Sequence, residues 1–289
     1  MTRIRFKLVK SSLQIISLIF SGFLASVSVN GANFPVLDPS QTQWLGEQIF
    51  TNECNRQVAC LTAWNEGENF SSMGIGHFIW YQSGQEEIYV ESFPDLLLYL
   101  QQSGLELPNW ILEANKDAPW QNREAFLADY DSARMQELRN FLLNHTREQT
   151  DFIITRFESA LASMLASVTE ADTFSSQGSN VNAVKFKLQE NFYRVANSNP
   201  PYGLYALIDY VNFKGTGVSP KEAYNNQGWG LKQVLLEMET STNPIQSFIT
   251  SARQILANRV ENAPVERNES RWLNGWNNRL DTYLPNAEK

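Results

Sequence analysis

Cysteine and histidine are scarce in this chain, two of each among 289 residues. Cys54, Cys60, His77 and His145 amount to one mixed metal site at most, and neither histidine stands at a recognisable ligand spacing. No metal and no cofactor is implied. Glycine and proline number 15 and 11, too few for a low-complexity or collagen-like chain. No internal repeat is visible. Charge is missing altogether from Ser11 to Leu37, and that gap has its own meaning.

Ahead of the gap stand Arg3, Arg5, Lys7 and Lys10; within it runs the apolar stretch Ile15–Val27, followed by Ser28, Val29, Asn30, Gly31 and Ala32. A basic start, an apolar middle and a small-residue end make a secretory signal peptide over residues 1–32. The rival reading is an uncleaved anchor, but Ser17, Ser21, Gly22 and Ser26 dilute the run, and a full span needs ~20 predominantly apolar residues. Cleavage removes four positive charges and takes the formal net charge from −8 to −12. The expected chain is periplasmic or secreted, with no stable membrane span once cleaved. So acidic a chain is also a poor partner for nucleic acid. In an oxidising compartment, Cys54 and Cys60 favour an intramolecular disulfide closing a short loop, with free thiols the other reading.

The remainder is rich enough in apolar residues, 43% hydrophobic and 12% aromatic, to bury a sizeable core. Ser40 and Gln43 form a capping-box pattern that opens a helix with Leu45 and Ile49 on one stripe, and Glu53 is the next position on it. The period then turns to alternation: Leu61 to Glu68, a turn around Gly67–Asn69, and Phe70 to Tyr81, a β-hairpin. Beyond Gly84 the pattern is helical near 94–102, 121–144, 147–167, 182–197, 201–212, 229–240, 244–262 and 269–283, with Pro94 and Pro244 suited to helix starts. The tract from Thr169 to Asn182 reads as a loop or junction. The expected fold is α+β, predominantly α-helical, with one small sheet.

If the hairpin turns about Asn69, Glu66 faces Ser72 and Trp64 faces Gly74, on one face with Gly76. The glycines then either leave room for a flat substrate beside a carboxylate and a hydroxyl, or merely relieve packing. Glu53, on an apolar stripe, is expected to be partly desolvated, which suits a general acid; Glu66, in a polar setting, suits the ionised partner. Either glutamate alone could also be an ordinary surface charge. In the second half, Asn212 and the run Tyr224-Asn225-Asn226-Gln227-Gly228-Trp229 have the composition of a glycan site, aromatic faces for sugar rings and amides for hydroxyls. The other reading has Trp229 plugging the core. Trp272 and Trp276, at i, i+4, are expected in the core, and His77 is expected to be structural.

The stretch Leu61-Thr-Ala-Trp64-Asn-Glu66-Gly-Glu-Asn-Phe-Ser-Ser72-Met-Gly74-Ile-Gly76-His77 resembles the hairpin of phage-type lysozymes and endolysins, with an upstream helical Glu and a carboxylate separated by five residues from the hydroxyl that stands just before Gly-Ile-Gly-His. The resemblance covers about residues 44–82. It implies Glu53 as catalytic acid, Glu66 as second carboxylate, Ser72 as the hydroxyl that helps hold the attacking water, and Trp64 as a substrate-side aromatic. Glu stands for the family's Asp at 66, Ser for its Thr at 72, and the connection from Glu53 to Leu61, which holds both cysteines, is longer. Glu47, Glu66 and Glu68 compete for the role of acid. The implied organisation is a lysozyme-like lobe over 33–170 and a helical lobe over 171–289 completing a groove. The implied activity is that of a glycoside hydrolase or lytic transglycosylase on a β-1,4-linked amino-sugar polysaccharide, foremost peptidoglycan. A chitosanase-like hydrolase suits the acidic charge, and a non-catalytic envelope or glycan-binding protein is the reading from another class.

Overall fold

In the computed structural model, which describes residues 34–85, 90–114, 117–175 and 180–285, the first helix starts earlier than the Ser40 cap predicts. Asp38 is the N-cap of α1 (Pro39–Cys54): its carboxylate accepts from the amides of Ser40 and Gln41, and the Gln41 side chain accepts from the Asp38 amide. The capping box is therefore Asp38/Gln41, with Pro39 inside the first turn where its missing amide costs nothing. The leader, residues 1–32, and positions 176–179 of the polar tract lie outside the described residues.

After α1 and a short 3₁₀ turn come β1 (Thr62–Ala63), β2 (Ser71–Met73) and β3 (Phe78–Trp80), an antiparallel sheet in the order β1-β2-β3. Then follow α2 (Phe93–Gln102), α3 (Asn109–Glu113), α4 (Arg123–Asp129), α5 (Ala133–Asn144), α6 (Thr146–Ala166), α7 (Glu170–Ser175), α8 (Val181–Ala196) and α9 (Tyr202–Lys214). A two-stranded ribbon, β4 (Ala223–Tyr224) and β5 (Gln227–Gly228), leads to α10 (Leu231–Glu237), α11 (Pro244–Asn262) and α12 (Ser270–Asp281). The fold is α+β and predominantly α-helical. Among the described residues no helix is long and apolar enough to cross a membrane.

Three local expectations need correction. The helix expected over 121–144 is two, because the Ser132 hydroxyl caps α5 by accepting from the Met135 amide. Part of the tract read as loop, Glu170–Ser175, is helical. Trp272 is 52% exposed rather than in the core, because α12 buries only Leu280, and position 272 falls on its outer face. Trp276 is half-buried against the core.

The core runs without a break across residue 170, from Leu45 and Ile49 of α1 through Phe152 and Phe157 of α6 to Leu204, Ile208 and Phe248. The long helix α6 is its spine: α1 lies against it through Gly46, where a Cβ would stand 2.3 Å from Thr150 Oγ1. Gly46 allows that close approach. The consequence is positional, since α1 is pinned along its length and delivers its last turn, with Glu53, to a fixed place.

Candidate functional site

Glu53 and Cys54 end α1, and the turn after β2 comes back to meet them. Cys54 and Cys60 form the expected disulfide, their Cα atoms 5.4 Å apart. His77 Nε2 lies 3.5 Å from Cys54 Sγ and 3.2 Å from Cys60 Sγ, and its Nδ1 lies 3.9 Å from Glu53 Oε2. The other carboxylate oxygen, Oε1, accepts from Arg279 Nη2 at 2.8 Å. The Glu53 side chain is 21% exposed. It is partly desolvated, as its stripe position predicts, but it shares its surroundings with a guanidinium and not with an apolar pocket.

Arg279 is itself held. Its Nε and Nη2 donate to Asp209 Oδ2 and Oδ1 at 2.9 and 2.7 Å, and Asp209 also accepts from the Tyr283 hydroxyl at 2.6 Å and Asn52 Nδ2 at 2.9 Å. Four donor contacts satisfy a carboxylate that is 1% exposed. Burial alone would make Arg279 easier to deprotonate, but its hydrogen bonds to Asp209 and the charges of Asp209 and Glu53 outweigh that and raise its pKa. The neighbouring Tyr205 hydroxyl, which accepts from Asn52 and contacts Thr282, is pushed up to about 12, chiefly by burial and then by the Asp209 charge. The net effect is an oriented Glu53, one oxygen clamped and the other turned toward His77.

The hairpin departs from the expected register. Thr62 pairs with Met73 and Ala63 with Ser72, so Glu66 is not opposite Ser72, nor Trp64 opposite Gly74. The β1–β2 connection is a longer loop, with a turn at Asn65–Glu68, and not a tight reversal about Asn69. Glu66 sits exposed in that loop. Ser72 is buried at the centre of β2, between Ala63 and Ile79. The glycines pave no open face: Gly74 and Gly76 form the β2–β3 turn, where a Cβ on Gly74 would lie 2.3 Å from Gln149 Oε1 and one on Gly76 2.9 Å from the Phe78 ring. Packing against α6 is what they serve.

Two expected binding aromatics are also core groups. Trp64 is buried, its ring 5.8 Å from Phe126 and its indole N–H donating to the Glu68 carbonyl at 2.8 Å. Trp229 is buried with the Arg259 guanidinium 4.0 Å above its ring, so the face expected to stack on a sugar is covered. Tyr224 packs on Trp229 at 4.6 Å and its hydroxyl is engaged by Glu269 and Arg267. Gln227 is exposed, accepts from Asn262, and borders a separate pocket of about 280 Å³ with Asn226 and Asn258. The Tyr224, Gln227 and Trp229 group is thus one unit, and Asn212 is not part of it.

Asn212 borders instead a cleft of about 540 Å³ between the β2–β3 turn, α6 and α9. Gly76, His77 and Phe78 form one wall, Ile153, Arg156 and Phe157 another, and Ile208, Val211 and Asn212 a third. None of the described residues lining it is acidic. His77 therefore connects three features: the cleft, the disulfide and Glu53. Sequence reasoning overlooked Asp209 and Arg279. The available signal for Asp209 was a lone charge inside the apolar run Leu204–Val211; for Arg279 it was a position three residues beyond Trp276 on the same helix.

No protein-family model, curated protein or solved structure matches the chain.

Proposed function

We propose that the chain is an exported lysozyme-like glycosidase that cleaves β-1,4 linkages of an amino-sugar polysaccharide, foremost peptidoglycan, with Glu53 as the acid that protonates the leaving oxygen. The observation that carries this reading is the clamped Glu53. Its Oε1 accepts from Arg279 and its Oε2 is turned toward His77; His77 lines the cleft, and Glu53 itself does not. A carboxyl held in one orientation by a hydrogen bond meets the geometric requirement of general acid catalysis.

Glu66 and Ser72 remain the second carboxylate and the hydroxyl of the proposal, although the register does not set them opposite one another and Ser72 is buried in β2. Glu53 adjoins the turn at one end of β2 and Glu66 belongs to the loop at the other. Three strand residues rise roughly 10 Å. That spacing is wider than the close pair of about 5 Å in retaining enzymes and lies just beyond the range of about 6.5–9.5 Å in inverting ones, in which the second carboxylate activates water. A lytic transglycosylase, in which the substrate's own N-acetyl group assists, is the variant of the same reading.

The acidic net charge favours a cationic polymer such as chitosan, but among the described residues the cleft walls carry Arg156 and His77 and no carboxylate, which favours a neutral or anionic glycan there. An ammonium-bearing polymer needs acidic walls; an N-acetylated or carboxylate-bearing glycan does not.

The test is digestion of purified peptidoglycan by the mature chain, with mass analysis of the products. Hydrolytic and anhydro products differ by one water and assign the branch. Glu53→Gln is expected to lower turnover by about 10²–10⁴-fold and retain glycan binding. Full activity in that variant overturns the assignment of the acid, and binding without turnover in the wild type assigns the chain to non-catalytic glycan recognition.

A further inference from the structure

The Cys54–Cys60 bridge is expected from two cysteines in an exported chain; His77 beside it is not. The two sulfur atoms and one ring nitrogen of His77 all lie within 4.8 Å of one another. His77 follows Cys60 by 17 residues, so the sheet creates the grouping, through the turn that closes β2 onto β3. His77 holds a left-handed backbone, φ 45°, that few non-glycine residues adopt. That conformation sends Nε2 to the sulfurs and Nδ1 toward Glu53.

A ring nitrogen aimed at two sulfurs, with a carboxylate behind the other nitrogen, is the arrangement by which proteins hold a metal-ligating histidine. The carboxylate, 3.9 Å from Nδ1, lies beyond hydrogen-bond distance but its charge favours a proton on Nδ1, which leaves Nε2 its lone pair for a metal. Two thiolates and one imidazole suit a thiophilic ion of tetrahedral preference, Zn²⁺ above all, with a fourth position left for solvent. Cys60 and His77 are half-buried and Cys54 buried, so an ion has a way in and a partly dry site to occupy.

We propose that Cys54, Cys60 and His77 form a redox-gated soft-metal site, closed as a disulfide and opened by reduction. A dithiol reductant delivers two electrons, closing to its own disulfide, and its two protons end on Cys54 and Cys60. A divalent ion then binds both sulfurs and His77 Nε2, and the two thiol protons pass to solvent. The bridge and the bound ion are alternative states of the same pair of sulfurs. This inference does not depend on Glu53 being catalytic, since it uses that carboxylate only as the anchor of His77.

Co²⁺ titration of the full mature chain, followed by its thiolate-to-cobalt absorption, tests the site. The probe is Co²⁺ alone, with a phosphine reductant removed before titration. The chain reduced in this way is expected to take up one Co²⁺ per molecule and the oxidised chain none. Cys60→Ser and His77→Ala should lose the absorption, and Glu53→Gln should weaken binding about 10–100-fold. Far-UV circular dichroism of the Cys54→Ser/Cys60→Ser double variant reports whether the fold survives without the bridge. Uptake by the reduced chain no greater than by the oxidised one overturns the proposal, whether the reduced chain is folded or not. Unchanged binding in His77→Ala, or in the double variant, overturns it as well.

Discussion

Arg279 donates to both carboxylate oxygens of Asp209, from Nε at 2.9 Å and from Nη2 at 2.7 Å. The same Nη2 reaches Glu53 Oε1 at 2.8 Å, so a buried aspartate on α9 and the end of α1 are joined by one guanidinium from α12. Arg279 is thereby both a structural tie and the group that orients Glu53. The two roles separate energetically, because Asp209 is almost fully buried and Glu53 is only partly so.

Arg279→Ala is therefore expected to destabilise the fold by about 3–5 kcal/mol, since it leaves Asp209 buried without its counter-charge. Glu53→Gln, which keeps an acceptor facing Arg279, should cost under about 1 kcal/mol. Urea unfolding of both variants measures the contrast. Equal losses would mean that Glu53, and not Asp209, is the partner that Arg279 stabilises.

Gly74 carries φ +74°, and a Cβ there would meet Gln149 Oε1 at 2.3 Å, the atom that accepts the Ile75 amide at 3.0 Å. Gly74→Ala should cost about 2–4 kcal/mol, from left-handed strain together with a disturbed buried hydrogen bond. A double-mutant cycle with Gln149→Ala is expected to recover part of that cost, because the clash goes with the side chain that causes it. Strict additivity of the two losses would place the whole effect in the backbone and none in the contact with α6.

Helical periodicity made most of the fold legible before any coordinates. The segments read at 147–167, 182–197 and 244–262 fall within a residue or two of α6, α8 and α11, because each repeats apolar residues at helical spacing over several turns. Register was harder to read. Glu68, Asn69 and Gly67 all suit a turn, and the choice among them is made by Gly74 donating to the Leu61 carbonyl and packing on Gln149, contacts that no local pattern announces. Position 53 was legible as a helix-borne glutamate at the edge of an apolar stripe. Its partners were not, since Asp209 and Arg279 lie 156 and 226 residues further along the chain. The meeting of His77 with the sulfurs was hidden for the same reason, a turn bringing together residues whose spacing carries no ligand signature.

Glu66 is exposed in the β1–β2 loop, so its replacement should leave stability within about 0.5 kcal/mol of wild type. If it activates water, Glu66→Gln lowers hydrolysis by about 10²–10⁴-fold while binding persists. Ser72→Ala, in the buried centre of β2, is expected to have the smaller effect on rate. Glu66→Gln turning over at the wild-type rate with anhydro products would assign the second step to the substrate's own N-acetyl group.

Lys214 closes α9 with its Nζ 3.4 Å from the centre of the Trp276 ring and 4.0 Å from that of Phe213. Burial pulls its pKa down to about 6; the positive charge of Arg259 adds to that, Glu269 opposes it, and Arg279 adds again. The ring faces offset part of the burial cost by attracting the cation. In the unfolded chain the same group titrates near 10.4. Between about pH 6 and pH 10 the unfolded chain therefore binds one more proton than the folded one, and stability rises with pH across that window. Below about pH 6 both states hold the proton and this group contributes no further slope. Lys214→Met removes the cost of keeping a basic group in the core, and should stabilise the fold at pH 7 by roughly 1–4 kcal/mol, the range seen when buried charges give way to apolar residues. The gain should shrink steadily toward pH 10. Urea midpoints of wild type and variant at pH 6, 8 and 10 measure it. A gain that stays constant across those three values would mean that Lys214 keeps its proton in the folded protein, held there by Trp276, Phe213 and Glu269.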